Sequence, residues 1–422
     1  MSAWKSRALQ CAAVTVLTGL AFVSTAQVVQ PESVGLSSER LGRINELVDR
    51  YIEQGDITGA VTLVGRNGQV AHLQAQGVMD IESETPMRSD TIFRIASMSK
   101  PVAGVAIMIL VEEGQVRLRD PVSRFLPSFE GSEVGMRTDN VRPGGGFGGF
   151  GGPPPEFYTV PADREITVRD LLTHTSGVMS GPMGNSVGRD MSSTRHDVGL
   201  AWVDELGAAP LEFQPGARWA YSGLAGFDVL SRIVEVVSGQ RFEVFLEERV
   251  FGPLGIADAT FWPSPAQRER LVNSYSRTDD GLVPRENPDS MSGPNYSSGA
   301  GGLMTTASDY GRFAMMLANG GELDGVRILS PRSVQLMGSA YIPDSLPGRP
   351  YGEGYGLSVR VVTDPVARDT YLSKGSFGWS GAYGTHFWVD PEENLVGVLM
   401  IQTPVRGMRP EFEDAVMQAV VE

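Results

Sequence analysis

The sequence predicts an α/β fold in which an antiparallel sheet, built from both chain ends and flanked by helices, carries an inserted, mostly helical domain. Three observations predict it. Strand-type runs concentrate before residue 95 and after residue 353, helical spacing dominates from 97 to about 260, and 422 residues exceed what one core usually holds. The expected division is a sheet domain over 27–95 and 290–422 and a helical domain over 96–289, with a site in the cleft between them.

Residues 1–26 come first. Lys5 and Arg7 precede an apolar run over 8–23, and Ser24-Thr25-Ala26 supplies small residues for cleavage, so the segment reads as a secretory signal. The run is shorter than the roughly 20 residues that a spanning helix needs. Its removal implies an exported protein, periplasmic or secreted. The single cysteine, Cys11, lies inside it, which excludes a disulfide, a thiol nucleophile and a cysteine metal site downstream.

Ser37-Ser38-Glu39 then opens a capped amphipathic helix carrying Leu41, Ile44, Leu47, Val48, Tyr51 and Ile52. A hairpin follows over 59–64 and 70–75, turning at Asn67-Gly68. The short apolar run 91–96 leads to a helix over 102–113, where Val102, Val105, Ala106, Ile109 and Leu110 recur at helical spacing. The Gly/Pro-rich stretch 142–155 suits neither helix nor strand and reads as a loop insert, foremost a surface excursion, with a lid whose Phe147 and Phe150 brush over the cleft as the alternative. Strands return over 354–360, 386–390 and 395–401, and a helix over 411–421 closes the chain.

Charge narrows the function. With 50 acidic and 35 basic residues the net charge is −15, which argues against a nucleic-acid partner. No later segment approaches ~18 uninterrupted apolar residues, so no membrane partner is expected once the signal is removed. No motif sets an oligomeric state.

The basic residues include only three lysines, Lys5, Lys100 and Lys374. Arginine keeps its proton in a protein, whereas a desolvated lysine can give its proton up and act as a general base. Lys100 closes the tetrad Ser97-Met98-Ser99-Lys100. Spacing alone is weak, because Ser2-Ala3-Trp4-Lys5 has it too. Pro101 adds meaning, since proline is at ease only in a helix's first turn. That places Ser97 at or just before a helix start and Lys100 within it, three residues away on the same face, while Ser99 points elsewhere. Ser97 is therefore the candidate nucleophile, and the helix N-terminus supplies N–H groups for an oxyanion.

Further segments follow in order: Ile166-Thr167-Val168-Arg169-Asp170-Leu171-Leu172-Thr173-His174-Thr175-Ser176-Gly177, Gly252-Pro253-Leu254-Gly255-Ile256, and Gly299-Ala300-Gly301-Gly302-Leu303-Met304-Thr305-Thr306. With the tetrad, they make the chain from about 35 to 420 resemble the serine β-lactamase and penicillin-binding-protein superfamily, especially class C β-lactamases and family VIII carboxylesterases. The resemblance implies a β-lactamase/transpeptidase-like fold and no cofactor. It makes Tyr221, in Trp219-Ala220-Tyr221-Ser222-Gly223, the phenol that shares a proton with Lys100, with Gly223 where the family keeps an asparagine. It aligns Trp379-Ser380-Gly381 with the family's Lys-Thr-Gly, so Trp379 replaces a cation. Trp379, Ser380 and Gly381 are then substrate-binding, and the Ala382 and Ser97 amides form the oxyanion hole. Lys374 lies five residues too early to stand in for that lysine unless a loop brings it near.

Other schemes find little support. The four histidines, His72, His174, His196 and His386, are not needed by this chemistry, and no zinc-ligand spacing occurs. Gly378-Trp379-Ser380-Gly381-Ala382 lacks the final glycine of a nucleophile elbow. The expected function is an exported serine hydrolase acting on small-molecule esters or amides, foremost a carboxylesterase. A β-lactamase or D-amino-acid peptidase is the enzymatic alternative. A protein that holds penicillin- or peptidoglycan-like ligands without turnover is the alternative of another class.

Overall fold

Alternation decides which way each strand faces. Along the last strand Leu395, Leu399 and Ile401 enter one core while Val396, Val398 and Met400 enter the other, so a run apolar throughout is buried on both faces. The computed structural model describes residues 27–138, 155–279, 281–285 and 289–422. The signal expected over 1–26 lies outside them, as does the insert expected over 142–155 but for its last residue.

The central sheet has eight strands: β1 (Gly59–Arg66), β2 (Gln69–Asp80), β3 (Thr85–Pro86), β4 (Glu353–Tyr355), β5 (Arg360–Val362), β6 (Phe377–Ser380), β7 (His386–Asp390) and β8 (Leu395–Met400). Their order is β4-β5-β6-β7-β8-β1-β2-β3, with every neighbour antiparallel. The two chain ends meet at β1 and β8, with Val61 opposite Met400 and Val64 opposite Gly397. Helices α1 (Ser38–Glu53) and α5 (Met408–Met417) cover one face, around Ile44, Trp388 and Phe412. Trp388 lies flat over Gly397, where a Cβ would sit 2.2 Å from the indole. The other face meets α4 (Ala307–Ala318).

Between β3 and β4 the chain is mostly helical. Helix α2 (Ser99–Glu112) is buried from Ser99 to Leu110 and packs against α3 (Ala225–Ser238), so it runs through the interior rather than along a surface. This arrangement is the fold class expected from the sequence.

Three expectations are corrected. The run 354–360 is two strands: β4 and β5 pair with Tyr355 opposite Arg360, and the chain reverses where Ser358 takes φ 70°. Gly356 permits the reversal, since a Cβ there would stand 2.0 Å from Met337 O. The closing helix begins at Met408 rather than 411, because Pro410 fits its first turn, and it stops at Met417 so that Val420 can bridge to Leu36. The helical region also holds two hairpins, Glu133–Arg137 with Phe157–Pro161 and Tyr275–Thr278 with Gly281–Pro284. Their largely exposed faces left no apolar alternation to mark them.

Candidate active site

The chain reaches Ser97 through a short strand, Ile92–Arg94, paired with Met304–Thr306. It then tightens through a 3₁₀ turn, Ala96–Met98, into α2. Ala96 has φ 44°, a left-handed conformation that costs a residue with a Cβ roughly 1–2 kcal/mol. One local and two long-range hydrogen bonds hold the turn. Ser99 Oγ donates to Ala96 O at 2.7 Å and accepts from Leu303 N–H at 3.1 Å, and Tyr310 donates to Met98 O at 2.9 Å. Ser99 is thus spent on the backbone, whereas Ser97 lines a cavity.

Lys100, fully buried, rises from the first turn of α2. Its Nζ lies 2.6 Å from Ala300 O, 2.8 Å from Gly223 O and 3.4 Å from Ser97 Oγ. The Ala300 carbonyl is fixed from below by Asp228, which accepts from Ser298 Oγ at 2.6 Å, Tyr296 OH at 2.5 Å, Trp202 Nε1 at 3.2 Å and Ala300 N–H at 3.4 Å. Burial pushes the Asp228 carboxyl up despite these donors.

Tyr221 completes the cluster, its hydroxyl donating to Ser97 Oγ at 2.6 Å. The loop that carries it is pinned by His174, whose backbone O accepts from Ala220 N–H at 3.1 Å and whose Nδ1 accepts from Ser222 N–H at 3.2 Å. Burial above all holds the His174 pKa well below its ordinary value, so the ring is neutral. It also packs 4.7 Å from the Tyr221 ring. His174 is a support for Tyr221.

The cavity in front of Ser97 has a volume of about 450 Å³. Trp219, Tyr221, Tyr355 and Trp379 form an aromatic wall, with Trp379 5.5 Å from the Tyr221 ring and 5.3 Å from that of Tyr355. Ser380, Gly381 and Ala382 line the opposite edge, where β6 leaves the sheet. A Cβ on Gly381 would stand 2.2 Å from Ile95 O, so this edge is pressed against the turn that carries Ser97. Lys374 lies exposed in the turn that enters β6 and does not line the cavity.

Sequence reasoning missed a buried charge cluster behind this edge. Arg360, Arg368, His386 and Arg409 surround Glu413, and Glu353 pairs with Arg360 and Arg368. Burial alone would raise the Glu413 carboxyl, but His386 against it and the charges of Arg360 and Arg409 outweigh it and hold it well below the usual range. Arg409, at the start of α5, lines the cavity, so a cation stands near Ser380 although Trp379 replaced the expected one. The only sequence signal was Arg409 beside Pro410 at a helix start. Among the described residues no group of three or more His, Cys, Asp or Glu stands together as a metal site requires. No helix among them is long and apolar enough to cross a membrane.

The Beta-lactamase family profile matches residues 44–422. Esterase EstB of Burkholderia gladioli is 31% identical over 426 residues, covering 94% of this chain and 99% of that protein. Protein Rv1367c of Mycobacterium tuberculosis is 37% identical over 367 residues, covering 83% and 87%. Among solved structures, EstCE1, a hydrolase with promiscuous acyltransferase activity, matches with a TM-score of 0.71 at 26% identity, covering 91% of this chain and 99% of that one.

Proposed function

The chain belongs to the β-lactamase family and is a serine hydrolase, and on that premise we propose that it cleaves small carboxylic esters through an acyl-enzyme on Ser97. The single observation that carries the proposal is the meeting of Ser97 Oγ, the Tyr221 hydroxyl and Lys100 Nζ behind a cavity walled by aromatic rings, which Ser97 and Tyr221 line.

The chemistry follows from the hydrogen bonds. A neutral lysine amine has two N–H groups and one lone pair. Gly223 O and Ala300 O take the two N–H groups of Lys100, which leaves the lone pair for the Ser97 proton as Oγ attacks the ester carbonyl. Tyr221 relays a proton to the departing alkoxide, and the Ser97 and Ala382 amides hold the tetrahedral oxyanion. Water then attacks the acyl-enzyme by the same proton path in reverse. No cofactor enters this scheme.

The relatives support an ester as substrate, through EstB by its name and EstCE1 by its title. The cavity supports it too. Trp379 presents an apolar ring where a cation would bind a substrate carboxylate, and Gly223 carries no amide side chain to grip an acylamide. A second reading, β-lactamase or D-amino-acid peptidase, is favoured by Arg409 on the cavity wall.

Hydrolysis of p-nitrophenyl butyrate and of nitrocefin, by the wild type and by Ser97→Ala, separates these readings. Turnover of the ester alone, lost in the variant, supports the esterase. Fast nitrocefin turnover supports the second reading, and a lasting acyl adduct after added penicillin, without turnover, would mean a penicillin-holding protein instead. Export by the 1–26 segment belongs to the same proposal, and N-terminal sequencing of the protein from culture fractions tests it.

A further inference from the structure

Ser380 has a chain of buried groups behind it. Its Oγ lines the cavity in front, and it lies 2.8 Å from Nδ1 of His386, its register partner across β6 and β7. On the far side of the ring, Nε2 lies 2.8 Å from Glu413 Oε1, although the N–H is not aimed straight along that line. Arg360 Nη2 reaches the same oxygen at 3.1 Å, and Arg368 Nη1 lies 3.9 Å from Oε2. The His386 and Glu413 side chains are 0% and 1% exposed, so their protonation is set by one another and by these arginines.

The tautomer of His386 decides what Ser380 can do. Burial lowers the His386 pKa to about 4 against the opposing pull of Glu413, so at neutral pH the ring carries one proton. With that proton on Nδ1 the ring would bond Trp379 O, 3.1 Å away, but would turn a lone pair toward the ionised Glu413. With the proton on Nε2 the ring turns its N–H edge toward the carboxylate oxygen 2.8 Å away, off the line of a hydrogen bond but attracted by the full negative charge, and only a neutral carbonyl is left out. A lone pair held 2.8 Å from a buried carboxylate is repelled by it whereas an N–H is attracted, so the Nε2–H form prevails. Its bare Nδ1 then accepts the single proton of Ser380.

We infer that the Ser380–His386–Glu413 chain fixes the Ser380 hydroxyl as a hydrogen-bond acceptor toward the cavity and selects ester substrates whose acyl arm carries a donor, an O–H or N–H. His386 and Glu413 are positioning residues, and Ser380 touches the substrate. Arg409 Nη1, 3.5 Å from Ser380 Oγ, donates to one lone pair, which leaves the other for a substrate in the cavity that Ser380 lines. A carboxylate arm offers acceptors only and would meet that lone pair. The inference rests on the esterase reading and refines its substrate class.

The test compares p-nitrophenyl butyrate, each enantiomer of p-nitrophenyl 3-hydroxybutyrate, and p-nitrophenyl hemisuccinate. For the wild type, kcat/KM for one hydroxy enantiomer should exceed that for butyrate about 5–10-fold, the worth of one net hydrogen bond. Ser380→Ala and His386→Gln should each bring this ratio near one. Because both rates come from one preparation, the ratio is unmoved by partial loss of folded enzyme. A ratio near one in the wild type, a ratio untouched by both substitutions, or a preference for hemisuccinate that vanishes in Arg409→Gln would overturn the inference and leave the esterase standing. Failure of the wild type to hydrolyse any of the esters would instead remove the esterase reading, and this refinement with it.

Discussion

The Tyr221 hydroxyl donates to Ser97 Oγ at 2.6 Å across 124 positions of sequence, on a loop that the neutral ring of His174 holds in place. The bond joins two of the elements that bound the cavity, the α2 turn and the loop before α3. Tyr221→Phe keeps the ring and its packing and removes only the hydroxyl proposed to carry the proton. The expected outcome is a fall in kcat for p-nitrophenyl butyrate of about 10²–10⁴, with KM changed little. Steady-state kinetics alongside a thermal melt checks it, and a variant that keeps more than a tenth of kcat contradicts the relay.

Lys100 separates charge from basicity. If its task were only to place a positive charge beside Ser97, arginine would serve. A guanidinium cannot supply a lone pair, so Lys100→Arg and Lys100→Met should both lose at least about 10³ in kcat. Lys100→Met removes the donor to Gly223 O and Ala300 O and should also lower stability by about 1–3 kcal/mol, readable by denaturant unfolding.

Gly381 couples the sheet to the turn that carries Ser97. An alanine there would bring its Cβ to 2.2 Å from both Ile95 O and Thr385 Oγ1, so β6 or the Ser97 turn has to shift. Gly381→Ala should cost about 1–3 kcal/mol and lower kcat at least tenfold by moving the Ala382 amide. Unfolding curves and ester kinetics measured together test both halves.

Much of this site could be read from the chain because its signals are local. Ser97, Lys100 and Pro101 lie within one turn, and the helix start dictates which serine shares a face with the lysine. Tyr221 had no local signal and became visible only through the order of motifs. The central sheet was legible at β1, β2, β7 and β8, where runs are long and apolar. It was misread at 354–360, where contact with Met337 O reverses a run that looks extended. Arg409 and Glu413 escaped notice, and His386 was set aside, because each looks ordinary alone. Their meaning comes from tertiary packing that puts α5 behind β6 and β7.

Buried histidines set an acid limb of stability. His72, with Nε2 2.9 Å from Thr62 Oγ1, is held by burial at a pKa of about 4. Between that value and the unfolded value near 6.5 the unfolded chain binds the proton and the folded one does not. Stability from this residue is complete above about pH 6.5 and falls by about 1.4 kcal/mol per unit as the pH drops toward 4. His72→Gln has no proton to bind, so the stability gap between wild type and variant should narrow on going from pH 7 to pH 4. Denaturant unfolding across that range reads it, and a constant gap contradicts the assignment.

The most direct test is to find where the acyl group lands. Acid-quenching a reaction with p-nitrophenyl butyrate within the burst, followed by peptide mapping by mass spectrometry, locates the adduct. The account predicts a butyryl group on Ser97 that accumulates in the wild type and is absent from Ser97→Ala. An adduct on Ser99 or Ser380, or turnover that survives Ser97→Ala, would contradict it.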